Sequence, residues 1–587
     1  MRGSARVWGG AVGAALSLCI LLALLVLAGA GGPAAESTPD GRPAGAPATT
    51  AAADPVDPAD PVDPVDPVEL PEQPNVVLVM ADDMRVDDLA FAPRLRRLVA
   101  EHGITFENSF SPYPLCCPAR ASLLTGQYAH NHQVWWHNPP FGYGAFDDSR
   151  TIATSLQSAG YRTGFIGKYL NRYGLDPSNV TGEPSATYVP EGWDDWRAAV
   201  EPLPGSGIHG NTYDYMDTPF NVNGTIDNAY RGVYQSDVIG DFSVDMARGF
   251  AGSGEPFFMY VNYVAPHHGE PNSADEPRTV LDEDGREVSV VTPAVPDDVR
   301  GMYDDVVDRA SGIARTGEPV EADTSDKPKA FRHHVRRLGD EAKEALRLAT
   351  RRRAEAVHVM DRNIARLVRE LRRSGEWDRT VFVFTSDNGM VIGEHGLGMM
   401  KVIAHEPSLR VPMLVTGPGL RTAQERYDPI STVDLAATVL DLAGARPPHL
   451  ADGVSRVPTL VGGDLGWTTP VVTEAVYTAP GKDPQFTDRR ATIGIRVNRY
   501  SYTRYRGGVA ELYDLVRDPR QDRNVADDPA YAEVRRALDR LWPRVKDCRG
   551  AGCALPLPDL LAGTPGRVQA DTDAYWTAID AAYGWEE

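Results

Sequence analysis

The chain of 587 residues is 42% hydrophobic and 24% charged, enough apolar material to bury more than one packed unit, which excludes a small disulfide scaffold and a fibrous or wholly disordered chain. Its formal net charge of −22 argues against a nucleic-acid partner, because such a binder needs a basic surface that displaces counterions. Arg2 and Arg6 precede an apolar run from Ala11 to Ala28 and the small residues Ala28-Gly29-Ala30, the pattern of an export signal over residues 1–32. That run approaches the ~20 residues that span a bilayer, so a retained signal anchor is the other reading. Either way the body is expected outside the cytoplasm, secreted or at the cell surface. Residues 33–74 hold eleven prolines and a repeated Asp-Pro-Val unit, with nine acids against one base from Glu36 to Glu72. Proline fixes φ and removes a donor while the aspartates repel one another, so this stretch is expected to be an extended spacer without a core.

From Asn75 short apolar, β-branched runs alternate with helical stretches, the pattern of an α/β domain: a large, mostly parallel, mixed sheet sandwiched by helices. Four runs end in groups with chemical potential. Residues 75–80 (NVVLVM) lead to Asp82 and Asp83, residues 162–166 (RTGFI) to Lys168, residues 257–264 (FFMYVNYV) to His267, and residues 381–385 (VFVFT) to Asp387 and Asn388. Ligands of open α/β sheets bind beyond the carboxyl ends of the strands, so these groups are expected to converge. Residues 270–330 read as a polar excursion over the surface. Residues 340–374 carry apolar side chains at helical spacing and stop before Gly375. The main domain is expected over 75–467 and a smaller α+β subdomain over 468–545, with strands at 471–476 and 491–497 and a helix near 532–541. In the tail, 546–587, Cys548 and Cys553 flank Arg-Gly-Ala-Gly. An exported chain favours a disulfide there; two free thiols, or a metal pair lacking its other ligands, are the alternatives.

The most specific segment runs from Pro114 to Gly126 and contains Cys-x-Pro-x-Arg followed by Leu-Leu-Thr-Gly. Only Cys116 fits that frame, since for Cys117 the proline position is Ala119. Pro118 suits the first turn of a helix and places residue 116 at its N-terminus, where free N–H groups favour an anion. The segment resembles the signature of the sulfatase family, in which this cysteine is converted to formylglycine (3-oxoalanine) by a dedicated maturation enzyme. The resemblance implies that Asp82, Asp83, Asp387 and Asn388 hold a metal ion beside residue 116, Cys116 itself completing the set. Three carboxylates and an amide oxygen suit Ca²⁺ or Mg²⁺, calcium being usual in the family; a bare Asp-Asp after a strand otherwise reads as a helix cap. Arg120, Lys168, His267 and Lys401 match the family's sulfate-binding and proton-transfer positions, where cations and a proton donor meet the charge that hydrolysis moves onto the bridging oxygen.

One position departs from the pattern. Many sulfatases carry His two residues after the lysine, and this chain has Leu170. GKYLN at 167–171, with VPEGW at 189–193 and YAHNH at 128–132, resembles the subgroup containing N-acetylglucosamine-6-sulfatase. His130 is the candidate replacement, with a structural role as its alternative. The implied function is an exported hydrolase of carbohydrate sulfate monoesters. A formylglycine-dependent phosphodiesterase or phosphonate monoester hydrolase is the nearest alternative, but it asks for more positive charge or a second metal set. An inactive cell-surface binding protein of the same fold would have lost site residues, and here the four metal-ligand positions, Cys116, Arg120, both lysines and His267 are in place.

Overall fold

The computed structural model describes residues 70–310, 321, 323–477 and 490–583; the expected export signal and the spacer up to residue 69 lie outside them. The described residues belong to one unit, Asp66–Glu587. Among them no helix is long and apolar enough to cross a membrane.

All four apolar runs form strands: Asn75–Ala81, Arg162–Lys168, Phe257–Asn262 and Thr380–Ser386. With Asp195–Ala199 they make the parallel centre of a ten-stranded mixed sheet, in the spatial order Thr380–Ser386, Asn75–Ala81, Phe257–Asn262, Arg162–Lys168, Asp195–Ala199. Antiparallel strands flank this centre, Met413–Thr416 on one side and Phe220–Val222 on the other. The strand Asn75–Ala81 has no polar alternation because helices cover both faces. Val77 and Val79 pack with residues of helices Gln235–Phe250 and Asp340–Arg373. Val76 and Leu78 pack with residues of helices Cys116–Thr125 and Thr432–Leu442. Each such buried aliphatic side chain contributes roughly 1.5–3 kcal/mol, so a single charge introduced at Val77 or Leu78 would undo a layer.

A second, four-stranded antiparallel sheet runs Val471–Tyr477, Arg490–Val497, Tyr500–Tyr505, Ala510–Asp514. Helix Ala532–Val545 covers it through Leu538, Leu541 and Trp542, and the Trp542 indole donates to the Ile493 carbonyl at 3.0 Å. Cys548 and Cys553 are bridged.

Two segments differ from the sequence reading. The excursion contains a hairpin, Thr279–Leu281 with Glu287–Ser289, that inserts Val280 and Val288 into a core with Leu346 and Met390. In the tail, helix Pro565–Tyr583 buries Val568 and sets Tyr575 and Trp576 against the Arg410 guanidinium, at 4.3 and 5.2 Å.

Candidate active site

Cys116 is the first residue of helix Cys116–Thr125 and is 1% exposed. Leu115 before it is extended, Pro118 occupies the first turn, and Gly126 ends the helix at φ 70°, a left-handed cap that glycine takes without steric cost. Cys116 Sγ lies 3.2 Å from Asp82 Oδ1, 3.8 Å from Asp83 Oδ1 and 2.7 Å from Lys401 Nζ. The aspartates leave the carboxyl end of the central strand, Asp83 at φ 63°, a left-handed conformation uncommon for a residue with a Cβ. The neighbouring strand fixes it: the Asp83 N–H donates to Asp387 Oδ1 at 3.1 Å, and the Met84 N–H to Ser386 Oγ at 2.9 Å. From the far side Arg353 donates to the Asp83 carbonyl at 2.8 Å.

Arg120, one helical turn after Cys116, donates to Asp387 Oδ2, the Lys168 carbonyl and Asn262 Oδ1, each at 2.9 Å. Lys168 donates to Asp82 Oδ2. Lys401 Nζ reaches Asp83 Oδ1 at 2.5 Å. The His267 Nδ1–H donates to the His268 carbonyl at 2.7 Å, which leaves Nε2 facing Asp83 Oδ2 at 3.7 Å. Asn262 and Arg353 were not singled out in the sequence; a polar residue closing an apolar strand was the signal for the first.

The charges set one another. Burial works against ionisation of Asp82, but Lys168, then His267 and Arg120, hold its carboxyl well below the usual range. Burial, then Asp82, pushes Asp387 up to about 6. Burial, then Asp82, raises the Cys116 thiol far above its ordinary value, so as a thiol this residue offers no thiolate at neutral pH. Three carboxylates face the permanent cations Arg120, Lys168 and Lys401. A hard divalent ion fits here. Ligand atoms of Asp82, Asp83, Cys116 and Asp387 lie within 4.8 Å of one another, and Asp83 Oδ2 and Asn388 Oδ1 are buried acceptors with no partner.

His130 is the one expected site residue that the structure does not bring to this cluster. Its Nδ1 meets Glu474 Oε1 at 2.6 Å and its Nε2 the Cys548 carbonyl at 2.7 Å, so both nitrogens are engaged at the smaller sheet. The four-residue helix Ala129–His132 that carries it turns the ring to that side. The structural reading of His130 is therefore the one its contacts support.

Oxygen donors at the carboxyl end of a parallel sheet, beside buried cations and a helix N-terminus, form a centre suited to cleaving an anionic ester. A family model described as Sulfatase matches residues 74–445, and one described as "N-sulphoglucosamine sulphohydrolase, C-terminal" matches residues 393–547. The chain belongs to the sulfatase family, the hydrolases of sulfuric esters. It is 31% identical over 400 residues to the extracellular sulfatase SULF-1 homolog of Drosophila melanogaster, a match that takes in 66% of this chain and 31% of the fly protein. It is 27% identical over 526 residues to the N-acetylglucosamine-6-sulfatase of Capra hircus, covering 82% of this chain and 85% of that one. The fold is shared with a solved structure titled as a complex with its substrate D-glucosamine-2-N,6-O-disulfate, at a TM-score of 0.58 and 23% identity over 80% of this chain and 97% of that one.

Proposed function

We propose that this chain is an exported sulfatase that hydrolyses carbohydrate sulfate monoesters, with position 116 acting as formylglycine and a divalent ion, Ca²⁺ or Mg²⁺, held by Asp82, Asp83, Asp387 and Asn388. One observation carries the reading: Cys116, those four residues, Arg120, Lys168, His267 and Lys401 form a single buried cluster, of which Cys116, His267 and Lys401 line a cleft. The ion supplies charge that acidifies a nucleophile and offsets the sulfonyl oxygens; formylglycine, hydrated, supplies the oxygen nucleophile that the buried thiol does not. The chain's own residues do the rest. Arg120 stays charged and fixes Asp387 against the helix; Lys168 and Lys401 present ammonium groups to the sulfate oxygens; Lys401 and His267 both line the cleft, and of the two Lys401, kept charged by Asp83, carries the proton for the departing alcohol oxygen, because burial holds His267 neutral with its Nδ1–H on the His268 carbonyl.

Carbohydrate sulfates as substrates, and a location outside the cytoplasm, are supported by the names of the relatives and by the signal-like residues 1–32. The domain limits 33–74, 75–467, 468–545 and 546–587 are part of this reading, as is a formylglycine-generating partner during maturation. Mass spectrometry of the peptide holding Cys116, combined with turnover of N-acetylglucosamine 6-sulfate before and after chelation, tests it. Full activity in a protein whose residue 116 is an unmodified thiol would overturn the mechanism; no hydrolysis of any sulfate ester by modified, metal-loaded protein would overturn the function.

A further inference from the structure

The cleft above Cys116 has a volume of about 530 Å³, more than a sulfate group fills, and one of its walls belongs to no part of the chemistry described so far. Asn171 lies three residues beyond Lys168. Glu201 lies two residues beyond Ala199, and Ala199 is the register partner of Lys168 on the adjacent parallel strand. Two neighbouring strands thus deliver an amide and a carboxylate side by side, one step outward from the lysine that faces Asp82. Tyr213 completes the wall, its ring 5.0 Å from the Lys168 ammonium and 5.0 Å from the His267 ring.

The hydrogen bonds of this wall leave acceptors over. Asn171 Nδ2 donates to the Tyr213 hydroxyl at 2.6 Å, which orients the amide and leaves its Oδ1 buried with no partner. Glu201 Oε1 accepts the Arg172 N–H at 2.7 Å, and Oε2 has no hydrogen bond among the described residues. An amide oxygen and an ionised carboxylate oxygen only accept. A ligand that covers them with carbon leaves them desolvated, whereas one that offers O–H or N–H groups restores the bonds lost to water. The floor takes an anion and the wall takes donors a few ångströms away. A sulfated sugar has that arrangement, with ring hydroxyls or an amide N–H on carbons near the ester. An aryl sulfate has the anion only.

We infer that Asn171 and Glu201 are specificity-determining residues that hydrogen-bond donor groups of a sulfated saccharide, held in place by Tyr213. The inference rests on the sulfatase reading above and narrows it to substrates with donors beside the ester. The test compares kcat/KM for N-acetylglucosamine 6-sulfate with that for 4-nitrophenyl sulfate in the full-length, modified enzyme and in Asn171→Ala, Glu201→Ala and the isosteric Glu201→Gln. The sugar-to-aryl ratio is expected to fall about 10- to 100-fold in each variant, chiefly through KM for the sugar. Deoxy analogues of the sugar extend the test. Removal of the hydroxyl that Glu201 reads should cost the wild type a similar factor and the Glu201 variants little more, as coupled partners in a double-mutant cycle do. Ratios that stay at the wild-type value in all three variants overturn the inference, as does a wild type that hydrolyses the aryl sulfate and ignores the sugar. A wild type that hydrolyses neither ester removes the sulfatase reading itself, a separate outcome. Hydrolysis of 4-nitrophenyl sulfate by the variants reports that they are folded, and Glu201→Gln stands in where an alanine variant is not.

Discussion

Two buried clusters of acids and bases end up with different work. At the smaller sheet His130, Arg490 and Glu474 close on one another. His130 reaches Glu474 Oε1 and the Cys548 carbonyl, while Arg490 reaches Glu474 Oε1 and Asp547 Oδ1, both at 2.6 Å. Among the described residues every nitrogen of His130 there has a partner, and the acceptors left over are Glu474 Oε2 and, on the neighbouring Asn131, Oδ1, neither of them beside a cleft. Around Cys116 the same count leaves Asp83 Oδ2, Asn388 Oδ1 and Arg120 Nη2 without a hydrogen bond, just behind Cys116, His267 and Lys401, which line a cleft. Buried polar atoms without partners are costly, so they persist where something else completes them. Closure marks a joint that holds the chain together, and open valence beside a cleft marks a place for a ligand.

The comparison breaks most directly at position 116. Cys116→Ala should lower turnover by on the order of 10⁴-fold or more, as loss of a nucleophile does, while Cys117→Ala, a buried core position, should cost roughly 1 kcal/mol of stability and spare most activity. Steady-state kinetics on both variants decides; equal losses would mean that the motif frame was misassigned. Next comes the ion. Asp387→Ala or chelation should cost more than about 100-fold, with chelated enzyme restored by Ca²⁺ or Mg²⁺. Because burial and then Asp82 set Asp387 near 6, a proton competes with the ion below that pH. Metal affinity measured at pH 5 and 7 should be weaker at 5, and equal affinity would contradict the assignment.

At the closed cluster the loss should appear in stability. His130→Ala leaves Glu474 and Arg490 in a broken buried network and should cost about 3–5 kcal/mol, read by denaturant unfolding, with kcat per folded molecule close to wild type. A selective loss of kcat would instead return His130 to the chemistry. Burial opposes the His130 charge, but Glu474 holds its pKa above 6.5; burial also opposes the Glu474 charge, but His130 and Arg490 hold its pKa down at about 2. The histidine contribution is complete below about pH 6.5 and is lost as pH rises through the folded value. The glutamate contribution is complete above about pH 4.5 and is lost as pH falls toward 2. The difference in stability between wild type and His130→Ala should therefore be greatest between those limits. The smallest effect belongs to the bridge. Its short loop restrains few unfolded conformations, so Cys548→Ser should cost about 2 kcal/mol, and thiol labelling of unreduced, denatured protein should find neither cysteine.

Most of the open cluster was legible because strand ends are legible. An apolar run that stops at Asp82, Lys168 or Asp387 names both the strand and the residue that leaves it. His130 was not, since sequence spacing does not say which way a four-residue helix turns its ring. Asn171 stood in the sequence only as the end of GKYLN and Glu201 not at all, for another reason: only the pairing of Lys168 with Ala199 makes them neighbours. The hairpin at Val280 and Val288 was hidden by three-residue strands that each bury a single side chain, and helix Pro565–Tyr583 by a weak apolar stripe in an acidic tail.

The helix that begins at Cys116 is buried along its whole length. A side chain 1% exposed at the bottom of a cleft can be reached by a small ester but not by the active site of a second protein, and freeing it would mean lifting the helix from its core. The proposed conversion of this residue by another enzyme would then be a matter of timing. It would belong to the interval in which the chain is made and still unfolded, and a molecule that folded first would be locked in its unaltered form. The yield of working protein would be decided by a race between modification and folding, and slower folding would favour the modified form.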